Sequence, residues 1–354
     1  MSKIALFKLG ELASVSDAIN ISEDKLRSKA IVGQLALAEK SVQSVGGMCV
    51  DNSGNIYVSD DVSHVVLKVT ESGNVTVLAG KAGESGNNSA LQGVVAADSR
   101  LNQPKGLACD NSGNIYVADY GNNQIRAIRN GKVDVYAGNG AGLSGLIDAN
   151  SDPLQARFDR PSDVAVDFSG VVYVADTNNN AVRKIWGGKV FTMAGGGAGG
   201  DAENIAGGKN VVFCNAPSAL AVDRRGTVYV CDAGNNKIKK ITADGWIYLH
   251  SGSGQEGNSL GRESATPAYA CEYQGLTYIA VDNYGYQYVT DVAEEGSRLI
   301  KVDPNGVPSN VVDFSNVDAA FDIAGVAVSP AGKVFVSMVE LDELEDESES
   351  ESES

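Results

Sequence analysis

Any acid–base or metal chemistry in this chain has to rest on carboxylates. Only two histidines, His64 and His250, occur in 354 residues, too few for a zinc centre built from several imidazoles. Five cysteines without a Cys-x-x-Cys pair make neither a zinc ligand set nor a disulfide framework. Cys49, Cys109 and Cys231 align with Ala or Val in related segments and read as small buried hydrophobes, whereas Cys214 and Cys271 lie in connections where a surface thiol fits. Asp163 and Asp322 are the weak metal candidates, with Lys105 and Ser162 beside them and Asp148, Asp159 and Asp201 as further loop carboxylates. Two acids form a thin oxygen cage, so no metal or cofactor is expected. Arg100 and Arg157 recur at matching positions and, with Arg160, are candidates for holding a partner's anionic group. Asn123, Asn179 and Asn236 join them as candidates in Asn-rich turns, although Asn also serves tight turns structurally. Gly138-Asn139-Gly140 and Gly195-Gly196-Gly197 have no Gly-Lys-Ser/Thr after them and are not phosphate loops.

These residues are positioned by a repeat. A Gly, two residues, an aromatic and a Val return six times, at Gly54-Tyr57-Val58, Gly113-Tyr116-Val117, Gly170-Tyr173-Val174, Gly226-Tyr229-Val230, Gly285-Tyr288-Val289 and Gly332-Phe335-Val336. The glycines are 59, 57, 56, 59 and 47 residues apart, a period of stacked supersecondary units. An apolar run ending in Asp precedes most of them, and Asp-Asn-Ser-Gly-Asn at 51–55 and 110–114 is hairpin-turn chemistry. A third segment alternates apolar with basic residues, as in Val182-Arg183-Lys184-Ile185, and a fourth apolar run follows a Gly turn. Four antiparallel strands per unit make a propeller blade.

The ends test this count. After Gly332 only 22 residues remain, room for two strands of a sixth unit. Ile4 to Val15, with Gly10 between two apolar runs, reads as the missing two, so N- and C-terminal strands share the last blade and leave no open sheet edge. The expectation is an all-β, six-bladed β-propeller over residues 1–339. Its blades are 46–79, 105–137, 162–194, 218–250, 276–313 and 323–339 with 3–15, followed by a disordered acidic tail, 340–354.

Residues 104–128, Pro-Lys-Gly-Leu-Ala-Cys-Asp-Asn-Ser-Gly-Asn-Ile-Tyr-Val-Ala-Asp-Tyr-Gly-Asn-Asn-Gln-Ile-Arg-Ala-Ile, resemble an NHL repeat. The second to fourth units match best, with Asp119, Asp176 and Asp232 before Asn-rich turns; the first and fifth depart there. The resemblance covers the chain to about residue 340 and implies a six-bladed ring. It leaves function open, since the family includes RNA-binding, protein-binding, extracellular and catalytic members.

Composition narrows function by exclusion. The net charge is −17, and the nine acidic residues from Glu340 to Glu353 account for the step from −8 to −17. That disfavours nucleic acid, whose affinity comes from Lys and Arg at phosphates. Arg126, Arg183 and Lys239 repeat at one strand position and are read as a solvated outward stripe. No secretion signal opens the chain and no stretch reaches a membrane span, so a cytoplasmic or virion-associated setting is expected. Long connections at about 80–104, 138–161, 195–217 and 252–275 gather on one face of the disc, and Leu101 and Phe158 within them are expected to plug gaps between blades. The function read from this is a non-enzymatic scaffold whose long-loop face engages a protein or glycan partner as a subunit of a larger assembly. The alternatives are a phage or virion structural component and a metal-dependent propeller hydrolase or lyase.

Overall fold

The computed structural model describes residues 4–9, 36–37, 40–88, 93–139, 144–150, 152–201, 214–257, 259, 270–293, 296–313 and 321–340. Each repeat begins with the hairpin its turn residues encode. Asp51 Oδ1 accepts the N–H groups of Ser53 and Asn55, both at 2.9 Å, and Oδ2 accepts the Tyr57 hydroxyl at 3.0 Å. Gly54 closes this turn at φ 80°, a conformation that disfavours any side chain. The same acid–tyrosine contact returns as Asp110–Tyr116 and Asp167–Tyr173. The repeated aromatic therefore buries its ring in the sheet and ties down its own turn.

Five antiparallel sheets follow one another, each built on four consecutive strands, the second extended to five by Val94–Val95 pairing with its outermost strand. The first is Gly47–Val50, Ile56–Asp60, Val65–Val69 and Val75–Gly80; the second Pro104–Cys109, Ile115–Asp119, Gln124–Arg129 and Lys132–Ala137. The third is Pro161–Val166, Val172–Asp176, Ala181–Trp186 and Lys189–Gly195; the fourth Pro217–Val222, Val228–Asp232, Lys237–Ile241 and Ile247–Ser251. The fifth is Leu276–Val281, Gln287–Ala293, Gly296–Val302 and Pro308–Asp313. A last sheet has three strands, in which Val334–Glu340 pairs on one side with Phe321–Val328 and on the other with the N-terminal Ile4–Leu9. Six complete blades are therefore not what the described residues form: there are five, plus this three-stranded sheet. The N-terminal hairpin contributes one described strand; its continuation to residue 15 and the acidic segment after Glu340 lie outside the described residues.

The core is distributed among the interfaces between sheets. Leu67 and Val58 of the first sheet pack with Ala327 and Phe335 of the three-stranded one, whose Val326 and Val336 meet Tyr288 and Leu299 of the fifth. Between the second and third sheets Ile125 and Ala127 meet Val172 and Val174, with Phe158 from the connection filling the gap at 0% exposure. Leu101 plugs the gap between the first two sheets, also at 0%. The three-stranded sheet thus joins the fifth to the first, and the Tyr278 hydroxyl adds a 2.8 Å hydrogen bond to the Val45 carbonyl. The strands nearest the axis are stitched as well: Ser162 Oγ donates to the Ser218 carbonyl at 2.7 Å, and Ser218 Oγ to the Leu276 carbonyl at 2.8 Å.

Two expectations are corrected here. Arg126, Arg183 and Lys239 form no solvated stripe; all three are at 0% exposure, because a blade is covered on both faces by its neighbours. Cysteine usage also differs: Cys49 and Cys109, on axial strands of adjacent sheets, are disulfide-bonded, and Cys214 and Cys271 are buried rather than at the surface.

Candidate functional site

The long-loop face is organised by one aspartate in each of the five blades, at the end of the second of its four consecutive strands. Asp60, Asp119, Asp176, Asp232 and Asp291 each accept the backbone N–H of the residue 17 positions earlier, in the incoming connection, at 2.7 to 2.9 Å. Seven residues later stands the buried base. Arg126 Nη1 lies 3.3 Å from Asp119, Arg183 Nη1 2.7 Å from Asp176, Lys239 Nζ 2.8 Å from Asp232 and Arg298 Nη2 2.5 Å from Asp291. In the first sheet Leu67 holds this place, and Asp60 accepts the N–H groups of Val62 and Ser63 instead. The pairing of the third and fourth strands shifts register just before Arg126, Arg183 and Lys239, and such a bulge re-aims side chains. Burial raises the Asp119 and Asp232 carboxyls above the usual range and lifts Asp176 to about 6, with the adjacent base pulling the other way.

The Asn-rich turns serve the same scaffold. Asn122, Asn179 and Asn235 each donate to the neighbouring aspartate and to a carbonyl of the connection, Gly86, Gly145 and Gly200, at 2.7 to 2.9 Å. The three asparagines singled out by sequence are not equivalent. Asn179 is one of these latches, whereas Asn123 and Asn236 occupy the left-handed position that follows, at φ 54° and 51°. Asn123 Oδ1 accepts the Arg160 N–H at 2.8 Å, linking one blade to the residue before Pro161 of the next. His64 does the same in the first blade, its Nδ1 accepting the Gln103 N–H at 3.1 Å.

The arginine candidates separate on inspection. Arg100 is exposed and paired with Glu84 at 3.0 Å. Arg157 is half-buried, and its carbonyl accepts a bond from Arg183. Arg160 is exposed, with its guanidinium 5.6 Å from the Tyr120 ring centre, while Lys105 Nζ lies 4.2 Å from that ring. Sequence offers Lys105 and Arg160 only as separate candidates; Tyr120, and the meeting of the three, come from the fold. A cationic pair flanking an aromatic can meet an acidic or planar group of a partner.

The metal candidates are not brought together. Asp163 accepts the N–H groups of Val164 and of Leu220 in the next blade, both at 2.8 Å, and burial raises its carboxyl to about 7. Asp322 lies opposite Val339 in its strand pairing, and its side chain is outside the described residues. Among the described residues no three His, Cys, Asp or Glu side chains stand together as a metal cradle, and no helix is long and apolar enough to cross a membrane.

Comparison with known proteins follows the repeat. The family model for the Teneurin NHL domain matches residues 48–186. Mouse Teneurin-3 is 25% identical over 314 residues, covering 78% of this chain and 11% of the relative. Human NHL repeat-containing protein 2 is 27% identical over 241 residues, covering 58% of this chain and 32% of the relative. The chain thus spans about a tenth to a third of the length of these relatives, and neither match supports a virion setting. Among solved structures it is similar to a gluconolactonase from Xanthomonas campestris, at TM-score 0.53 and 16% identity over 85% of this chain and 87% of the other. A streptogramin B lyase aligns at TM-score 0.54 and 14% identity over 96% and 98%. Such identities show the fold alone. They nevertheless correct the expectation that the chain is not an enzyme, because the same ring carries lactonase and lyase activities in those proteins. The recurring Gly-aromatic-Val hairpins, the aspartate that ends each second strand, the Teneurin NHL domain match over residues 48–186 and the NHL-repeat relatives together support an NHL-repeat β-propeller.

Proposed function

We propose that this chain is an interaction platform: a ring of six blades, the three-stranded sheet being the sixth, that engages a protein or carbohydrate partner through its long-loop face. The observation that carries this reading is the fivefold anchoring of the incoming connections to the aspartates that end the second strands. A loop held before binding loses little entropy on binding, which is how a rigid surface with few anchors achieves affinity. Lys105, Tyr120 and Arg160 near the second and third blades, with Arg100 and Arg157 further out, supply those anchors.

The test is affinity capture from the native source with three tagged chains: wild type, Arg100→Glu with Arg160→Glu, and Lys189→Glu on the opposite face. A partner recovered in near-equal amount with the wild type and the opposite-face variant, and lost with the loop-face variant, is the expected result. Retention by the loop-face variant would remove the proposal.

A further inference from the structure

The turns between first and second strands, and between third and fourth, lie on the face opposite the long connections. Exposed aromatics concentrate there, in consecutive blades: Phe168 at 81%, Tyr284 at 82%, Trp186 at 59% and Trp246 at 40% exposure. Large apolar rings left in water on one face mark a contact surface.

Two hollows occupy this face. The axial mouth, about 370 Å³, is rimmed by first turns and includes Phe168, Arg224 and Asn283. Between the fourth and fifth blades a groove of about 450 Å³ is lined by Arg224, Arg225, Lys240 and Tyr284. Arg224, Asp223 and Asn283 line both, so the hollows adjoin. Arg224 and Arg225 are exposed, and among the described residues their side chains make no hydrogen bond or ion pair. The groove's acid, Asp223, is committed to its own turn, with Oδ1 accepting the N–H groups of Arg225 and Thr227 at 2.9 Å. Lys240 lies 5.9 Å from the Tyr248 ring, which stacks on Trp246 at 6.3 Å.

We infer that this groove, with the axial mouth beside it, is a binding site for an acidic peptide segment of a partner protein, with carboxylates on Arg224, Arg225 and Lys240 and apolar side chains on Tyr284 in the groove and Phe168 at the mouth. Three cationic side chains, Arg224, Arg225 and Lys240, against the single carboxylate of Asp223, in a chain of net charge −17, are a local reversal of sign that selects anions and steers their approach. Arginine and aromatic residues are also the types that dominate contact energies. The aromatics decide the ligand class: a sulfated glycan presents charge on every unit but no apolar side chains for Phe168 and Tyr284, whereas an acidic peptide carrying aromatic residues supplies both. This site lies on the face opposite the one proposed above and does not depend on it.

The probe is a fluorescein-labelled peptide of repeated Asp-Glu-Phe-Ser, followed by fluorescence anisotropy with the full chain, with a heparin-derived oligosaccharide as competitor. Saturable binding is expected, weakening as salt rises. It should fall at least tenfold in Arg224→Glu/Arg225→Glu and at least threefold in Tyr284→Ala, and stay unchanged in Lys81→Glu, an exposed site on the long-loop face. Arg224→Gln/Arg225→Gln, with a thermal melt for each variant, separates loss of charge from loss of fold. Absence of saturable binding, equal binding by the Arg224/Arg225 variants, or tighter binding of the oligosaccharide than of the peptide would overturn the inference.

Discussion

Asp163→Asn should shift stability toward the variant as pH rises. Asp163 sits among the axial strands, where the edge of each sheet leaves N–H groups facing the axis; it takes those of Val164 and Leu220 at 2.8 Å each. Burial raises its carboxyl from 3.8 to about 7, while the two N–H donors pull it down. A folded-state value above the unfolded one means that the native chain binds the proton more tightly. Its stabilising contribution is whole below pH 3.8 and is lost as pH rises toward 7. At about 1.4 kcal/mol per pKa unit, the part lost between pH 5 and pH 8 is about 3 kcal/mol for a fully enclosed carboxyl. Asp163 keeps some solvent exposure, which cuts this to about 1–2 kcal/mol. Asparagine cannot ionise, but it offers one carbonyl to two donors, a loss of about 1–2 kcal/mol that does not change with pH. Urea denaturation followed by tryptophan fluorescence, on both chains at pH 5 and pH 8, isolates the effect because all other titrating groups cancel. The variant should be the less stable at pH 5 and should regain about 1–2 kcal/mol relative to wild type at pH 8. A stability difference that is the same at both pH values, or that moves the other way, refutes the reasoning.

Arg183→Leu leaves Asp176 and Asp148 without their cation and should cost about 3–5 kcal/mol in the same urea assay; the double variant with Asp176→Asn should recover part of it, and no recovery would contradict the pairing. Gly106→Ala places a methyl group 1.8 Å from Asp163 Oδ1 and 2.5 Å from its Cα, so a loss of about 3 kcal/mol or more is expected, visible as a lowered melting temperature. Non-reducing peptide mapping should return Cys49 linked to Cys109, with Cys214, Cys231 and Cys271 alkylated only after denaturation; rapid alkylation of Cys271 in the folded chain would show its connection to be open.

Much of the ring could be read along the chain because its signals are local. The Gly-Tyr-Val phrase, the Asp–Asn–Gly turns and the prolines before the axial strands act within a few residues, and hairpin geometry turns them into antiparallel sheets without reference to the rest of the molecule. Leu101 and Phe158 could be assigned to the gaps between blades for a similar reason: each sits three residues before such a proline, in an otherwise polar connection. The blade count at the ends was less accessible, since it depends on strands far apart in sequence pairing with one another.

Arg126, Arg183 and Lys239 show what alternation alone cannot decide. In an isolated sheet a basic residue on one face meets water, but in a ring both faces of every blade are covered by neighbours. The charge must then find its counter-ion inside, and the aspartate seven residues earlier provides it. Likewise Cys49 and Cys109, 60 residues apart, meet because they occupy matching heights on adjacent axial strands. The sequence by itself determined the repeating hairpins, since turn chemistry and strand periodicity are short-range. Only the tertiary structure decided which charges were buried, which cysteines joined and which aromatics stayed in water, because stacking one blade on the next sets solvent access for residues distant in the chain.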